Sequence, residues 1–386
     1  MKYFLFLFFT VSINAQQSIP VIEINKSLPE VDLKLSDICS DISYTKLEFD
    51  SKHPVDQTGV PDVTDKYIFF RSRQKILRYT RDGKTVQMIG SIGNGPEEYL
   101  PGSSFVFDYQ LNRLYIQINY TQRVLIYDGD KNKYLNSFQI EDTEGQFSIA
   151  NNGRLLQLGN TRRRYSPRYY AWQLLKSDGK IVYRKENTSF TKTRTNHRWE
   201  GNIAPSAITW KNSDNLFCSI QEIGSDTIFN ISENLQTTPR FVIRSSVQTK
   251  GENAVNFLSE SSRYLFWRLD DDVQKKSFSG VYDKILKKPF IYSQNKYSDY
   301  RDDNKKKSIG IKNDIDGGLP VRAIMSNRSG SYCHFFVQPS DLIEHINSAK
   351  FRNAILKDPS KKKALIDFVK TLQEDDNPVL VTLKIK

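Results

Sequence analysis

Ile76-Leu77-Arg78-Tyr79, followed by the tight turn Asp82-Gly83-Lys84, decides the fold, because the chain repeats it. Val124-Leu125-Ile126-Tyr127 runs into Asp128-Gly129, and Trp172-Gln173-Leu174-Leu175 into Asp178-Gly179-Lys180. Asp bonds its own backbone and Gly accepts positive φ without steric cost, so the pair reverses antiparallel strands. The three glycines lie 46 and 50 residues apart. Weaker copies are Thr227 to Ile231 before Glu233-Asn234, and Gly280 to Asp283 before Lys284. A strand rich in aromatic and β-branched residues precedes each: Tyr67–Phe70, Leu114–Ile118, Arg154–Leu158, Leu216–Ile220 and Tyr264–Trp267. A sixth unit is diffuse, with Ser308–Ile311 and then Tyr332–Val337. Four short strands every ~45–50 residues are the mark of propeller blades. The expected fold is therefore all-β, a single six-bladed β-propeller over residues 16–386.

The ends supply the closure. After Asn377-Pro378 the chain finishes as Val379 to Lys386, with Val379, Val381, Leu383 and Ile385 on one face at the strand period. A lone terminal strand must pair, and the segment Ile19 to Ile24 is its expected partner. Asp37 to Leu47 then leads from that closure into the first full blade. A helical insertion is expected over 340–376, ahead of the closing strand 379–386. Asp341 would cap its first helix with Glu344 three residues on. Asp358 would cap its second, with Pro359 at the first position. Leu365, Phe368, Val369 and Leu372 form one apolar stripe, read as core, and Lys361 to Lys363 a solvated face.

Lys2, the apolar run Tyr3 to Phe9 and a small-residue end at Ala15 make residues 1–15 read as a signal peptide. That places the mature chain in the periplasm, the cell envelope or outside the cell. No cysteine precedes Cys39 to carry a lipid anchor, and no later apolar stretch approaches the ~20 residues a membrane span needs. Three cysteines allow at most one disulfide, so the fold is not stapled. A formal charge of +12 favours anionic partners, among which export makes nucleic acid the weakest.

The most distinctive loop is Ile92-Gly93-Asn94-Gly95-Pro96-Glu97-Glu98-Tyr99. It resembles the G-x-G-P-G-E-Y/F signature of exported six-bladed propellers of Gram-negative bacteria, relatives of the NHL-type propellers. The Asn-Pro-Val-Leu-Val ending and Ile-Ser-Tyr-x-x-Leu-Glu at Ile42 to Glu48 look like that family too. Glu97 stands where the family often has Gly. The resemblance implies architecture and export, and no reaction. Gly93, Gly95, Pro96, Glu98 and Tyr99 read first as a structural inter-blade turn, with Glu98 capping amides or facing a ligand.

Two loops interleave cations with aromatics: Arg162, Arg163, Arg164, Tyr165, Arg168 and Tyr169 in one, and Arg194, His197, Arg198 and Trp199 in the other. Guanidinium forks grip carboxylates and sulfates while aromatic faces stack on sugars. They support an exported, non-catalytic binding module for an anionic glycan or an envelope protein, the more so if both loops share a face. The rival is a hydrolase or lyase with a metal or an acid pair in the central channel. For that role the sequence offers Glu97/Glu98, Asp270 to Asp272, Asp302/Asp303 and Asp375/Asp376, all in polar turns. His53, His197, His334 and His345 show no metal spacing with each other or with cysteine and no Gly-x-Ser-x-Gly occurs, so the cofactor is unknown, and a metal gathered in the channel from several blades stays open.

Overall fold

The computed structural model describes residues 19–386 except 57–58, 119–120, 141–146, 150–153, 159–169, 187–206, 213–214, 221–226, 232–236, 246, 250–251, 254, 301–308, 323–330, 355 and 357. Six blades stand in a propeller arrangement. The N-terminal region contributes β1 (Val21–Ile24), helix α1 (Leu35–Ile38) and β2 (Cys39–Thr45). Blade one holds β3 (Asp62–Val63), β4 (Tyr67–Ser72), β5 (Lys75–Thr80) and β6 (Val86–Met88). Blade two holds β7 (Ser104–Asp108), β8 (Arg113–Gln117), β9 (Arg123–Asp128) and β10 (Tyr134–Gln139). Blade three holds β11 (Phe147–Ile149), β12 (Leu155–Leu158), β13 (Tyr170–Leu175) and β14 (Ile181–Glu186). Blade four holds β15 (Ala207–Asn212), β16 (Asn215–Ile220), β17 (Thr227–Ile231) and β18 (Thr237–Ser245). A short hairpin, β19 (Gln248–Thr249) and β20 (Glu252–Asn253), precedes blade five. That blade holds β21 (Val255–Glu260), β22 (Tyr264–Asp271), β23 (Lys276–Asp283) and β24 (Lys288–Lys296). The closing blade joins β25 (Tyr332–Val337), β26 (Val379–Ile385) and β2 in the order β2-β26-β25.

Strands within a blade pair antiparallel, and the apolar cores lie between neighbouring blades. Phe69 of blade one stacks on Phe107 of blade two at 4.7 Å, and Phe70 meets Phe336 of the closing blade edge-on at 4.9 Å. Tyr99, Leu114 and Leu125 fill the first of these interfaces, Leu47, Ile68 and Leu380 the second.

Closure runs through a different N-terminal segment from the one expected. Cys39–Thr45 pairs antiparallel with the terminal strand, Ile42 opposite Leu383 and Thr45 opposite Leu380. Val21–Ile24 instead adds a parallel fifth strand to blade four, Val21 opposite Val242 and Ile24 opposite Ser245. The reason is where apolar side chains find company. Ile22 and Ile24 enter the core between blades four and five, whereas Ile38, Cys39 and Ile42 enter the one between blade five and the closing blade. Between them the chain makes a strap along the outer strands. Val31 N–H donates to Ile291 O at 2.8 Å, Ile291 N–H donates to Pro29 O at 3.0 Å, and Lys26 pairs with buried Asp271 at 2.9 Å. This strap covers strand edges that would otherwise invite pairing with another chain.

The reversals use two devices. Gly83 and Gly179 take positive φ in their Asp-Gly turns, +77° and +85°. After Asp128 the left-handed residue is Asn132 (φ 52°), not Gly129. Gly129 is needed for space instead, since a Cβ there would meet Asn112 Oδ1 at 2.5 Å. The Asp128 carboxylate accepts from the amides of Asp130 and Lys131, and the same wiring recurs at Asp108, Asp271 and Asp283. Four residues beyond each aspartate stands a left-handed residue: Asn112, Asn132, Lys275 and Lys287. Asn occupies that region at less cost than Lys. Lys287→Asn should therefore stabilise by about 0.5 kcal/mol and raise the melting temperature by ~1–2 °C. A fall in thermal melting would refute that reading of the turn.

Candidate functional site

Because strands alternate in direction, the connections after the second and fourth strands of a blade leave from one edge, and those after the first and third from the other. In blades one to five the connections after first and third strands are two to five residues long. The long ones, 89–103, 159–169 and 187–206, follow second or fourth strands. In the closing blade 46–61 and 338–378 leave from one edge, since Thr45 and Val337 both lie beside the start of β26; its far end is at the tight-turn face, where Ser262, between β21 and β22, donates to Lys386 O. One face of the ring thus has tight turns and the other carries the elaborations, as repeat architectures do on a binding face. Arg162, Arg163, Arg164, Tyr165, Arg168, Tyr169, Arg194, His197, Arg198 and Trp199 lie outside the described residues. The strand ends that flank them, Leu158 and Tyr170, Glu186 and Ala207, all belong to the elaborated face.

The loop at Gly93 belongs to that face and is held from within. Gly93 N–H donates to Tyr99 O at 3.1 Å and Tyr99 N–H to Ser91 O at 3.0 Å. Glu98 Oε2 accepts from Gly95 N–H at 2.8 Å, and Oε1 from Ser91 Oγ at 3.4 Å. A Cβ on Gly93 would lie 2.0 Å from Glu98 Oε2, so glycine here makes room for the capping carboxylate. Arg123 of β9 donates to the carbonyls of Gly95 and Pro96 at 3.1 and 2.6 Å, and Tyr127 Oη to Glu97 O. Tyr99 is fully buried and its hydroxyl accepts from Ile76 N–H at 3.1 Å. Pro96 contributes its carbonyl to this mesh, which locks blade one to blade two.

Asp270, Asp271, Asp272 and Asp376 among the candidate acids have partners of their own too. Asp270 pairs with Arg268 at 2.9 Å, Asp271 with Lys26, and Asp272 accepts from Tyr297 Oη at 3.2 Å. Asp376 pairs with Lys46 at 2.7 Å and accepts from Gln373 N–H. Asp302 and Asp303 lie outside the described residues. His334 touches Thr382 Oγ1 at 3.1 Å, and burial with Arg81 nearby lowers its pKa to about 4, so it stays neutral. His345 Nε2 lies 2.8 Å from Gly317 O. Among the described residues no three His, Cys, Asp or Glu side chains gather as metal ligands. Cys39 and Cys333 are buried free thiols, and burial raises the Cys39 pKa to about 12, which keeps it unreactive.

The helical insertion stands on the same face. It contains α2 (Pro339–Asn347), α3 (Ala349–Arg352) and α4 (Pro359–Val369). Asp341 is not the cap of α2: the helix begins at Pro339 after Gln338, since proline fits the first turn, and Asp341 falls inside it. Asp358 does cap α4, accepting from Ser360 N–H at 2.9 Å. Leu342, Leu365, Val369 and Leu372 are buried, and Phe368 stacks on Tyr44 of β2 at 5.5 Å. Lys361 pairs with Asp41 of β2 and Lys363 with Asp367, so this lysine run partly fastens the helix. Between α2 and α4 runs an open groove of about 560 Å³. Phe351, Val369 and Leu372 form its floor, with Ile343, Ile346 and Ile366 as half-buried walls. Asn347, Arg352, Lys362 and Lys370 complete the lining, which contains no carboxylate.

The family described as "Domain of unknown function (DUF4934)" matches residues 17–384. Among solved structures, the fold is similar to one described as "Putative exported protein" from Bacteroides fragilis NCTC 9343. The likeness has a TM-score of 0.63 at 17% identity and covers 95% of this chain and 99% of that one. A member of the DUF4221 family from Bacteroides vulgatus ATCC 8482 is similar at a TM-score of 0.44 and 11% identity, over 90% of this chain and 97% of that one. No curated protein matches. No described helix is long and apolar enough to cross a membrane.

Proposed function

The chain thus belongs to the DUF4934 family, and we propose that it is an exported, non-catalytic binding module whose elaborated face takes an anionic partner, an acidic glycan or an envelope protein. What supports this is that the strand ends flanking the two basic-aromatic stretches, Leu158 and Tyr170, Glu186 and Ala207, leave from one edge of the blades. Arg162, Arg163, Arg164 and Arg168 would fork onto carboxylates or sulfates, joined by Arg194, His197 and Arg198, while Tyr165, Tyr169 and Trp199 stack on sugar faces. The signal-like N-terminus and the name of the similar B. fragilis protein support export. Glu98, Asp271 and Asp376 are spent on amides and lysines, which favours binding over acid–base chemistry.

The protein should be retained on dextran sulfate at low salt and released as salt rises, because exposed charge is screened within about 10 Å at 0.1 M. The combined change Arg162→Ala, Arg163→Ala and Arg164→Ala should lower the eluting salt. Unchanged elution of that variant would remove the basis for assigning the site to those arginines.

A further inference from the structure

From the groove between α2 and α4, we propose that the helical insertion is a second docking site, for an acidic amphipathic helix of a partner protein. Ile343 and Ile346 on α2, and Ile366 and Val369 on α4, each stand three residues apart, so each helix presents one apolar row to the groove. Two packed helices with an open trough between their rows leave the seat that a third helix fills in ridge-and-groove packing. The groove is open to solvent, whereas small-molecule sites enclose most of their ligand.

Charge selects the occupant. Arg352, Lys362 and Lys370 stand on the lining with no acid among them. Arg352 has no ion pair among the described residues. Lys362 is held over the Phe351 ring at 4.8 Å and donates to the carbonyls of Arg352 and Ala354, so its charge stays fixed at the rim. Lys370 shares the one carboxylate of Asp367 with Lys363, leaving that corner net positive. A basic helix would meet three like charges; one with glutamates flanking an apolar stripe meets complementary ones.

This site is independent of the glycan-directed loops, and its test reads only the helices. A fluorescein-labelled peptide of about 18 residues, with leucines at i, i+3, i+4 and i+7 and flanking glutamates, is titrated with the full-length protein by anisotropy. It should bind at least about tenfold more tightly than the same peptide with lysines for glutamates. Arg352→Glu with Lys370→Glu should reverse that preference, and Ile346→Ser with Ile366→Ser should weaken both peptides about tenfold while thermal melting confirms the fold. The charge-neutral pair Ile346→Ser and Ile366→Ser should leave retention on dextran sulfate unchanged. Equal binding of the two peptides, no binding of the acidic one at ~1 mM, or unchanged affinity in the charge-reversed variant would overturn the proposal. So would oleate or phosphatidylglycerol vesicles binding with the same Arg352 and Lys370 dependence while the acidic peptide does not, since the occupant would then be an amphiphile.

Discussion

Truncation after Asn377 should leave a chain without a cooperative thermal transition. β26 is the middle strand of the closing sheet, hydrogen-bonded to β2 on one side and β25 on the other. Val379, Leu380, Val381, Leu383 and Ile385 are buried there. Burying such a side chain contributes about 1.5–3 kcal/mol, so the five together represent roughly 8–15 kcal/mol. Whole domains are stable by only about 5–15 kcal/mol. The loss also strips β2 and β25 of their shared partner, exposing two apolar edges. Size-exclusion chromatography should find the truncated chain aggregated, and near-UV circular dichroism should find its aromatic signal lost. A monomer melting within a few degrees of the intact protein would mean that this strand does not hold the ring.

Glu260→Gln should produce the second largest effect. The Glu260 side chain, fully buried at the end of β21, receives Arg240 of blade four in a two-pronged contact of 2.6 and 2.8 Å and Lys284 of blade five at 2.7 Å. Removing one member of a buried ion cluster costs about 3–5 kcal/mol, because the remaining charges stay desolvated without a counter-ion. Arg240 and Lys284 keep some access to water, so the lower end of that range applies, a fall of roughly 6–10 °C in melting temperature. The pH dependence identifies the cause. Burial pushes the carboxyl up, Arg240 and Lys284 pull it down further, and the folded pKa lies below the usual value. Its stabilisation is therefore complete above the normal carboxylate range and disappears as pH falls through the folded value. Wild-type stability should drop toward acid pH and the variant should track a flatter curve, the two converging at low pH. A constant gap down to the acid limit would assign the effect to packing instead of charge.

What could be read from the residues alone follows from which strands are buried on both faces. Second and third strands such as Tyr67–Ser72 and Lys75–Thr80 sit mid-blade as near-continuous apolar runs, and both were legible. First strands are as short as Asp62–Val63, and fourth strands such as Tyr134–Gln139 are mostly half-exposed and polar, so neither stands out from a loop. The strap had no periodic signal either. Four residues of Val21–Ile24 alternate correctly, but alternation cannot say which edge receives them. The spacing from Asp128 to Asn132, repeated from Asp108, Asp271 and Asp283, was a second turn signature hidden behind the more familiar Asp-Gly pairs. On the helices, Leu365, Val369 and Leu372 were legible as buried. Ile343, Ile346 and Ile366 gave no hint of a trough, because only the mutual placement of α2 and α4 turns half-buried residues into walls.

The strap also sets an order of assembly. Translation delivers residues 21–45 first, yet their hydrogen-bonding partners are β18, Ile291, Lys312 and β26, which emerge hundreds of residues later. The strap must wait, unmated, until those strands exist, so final ring closure comes late in folding and carries a large loop-closure entropy.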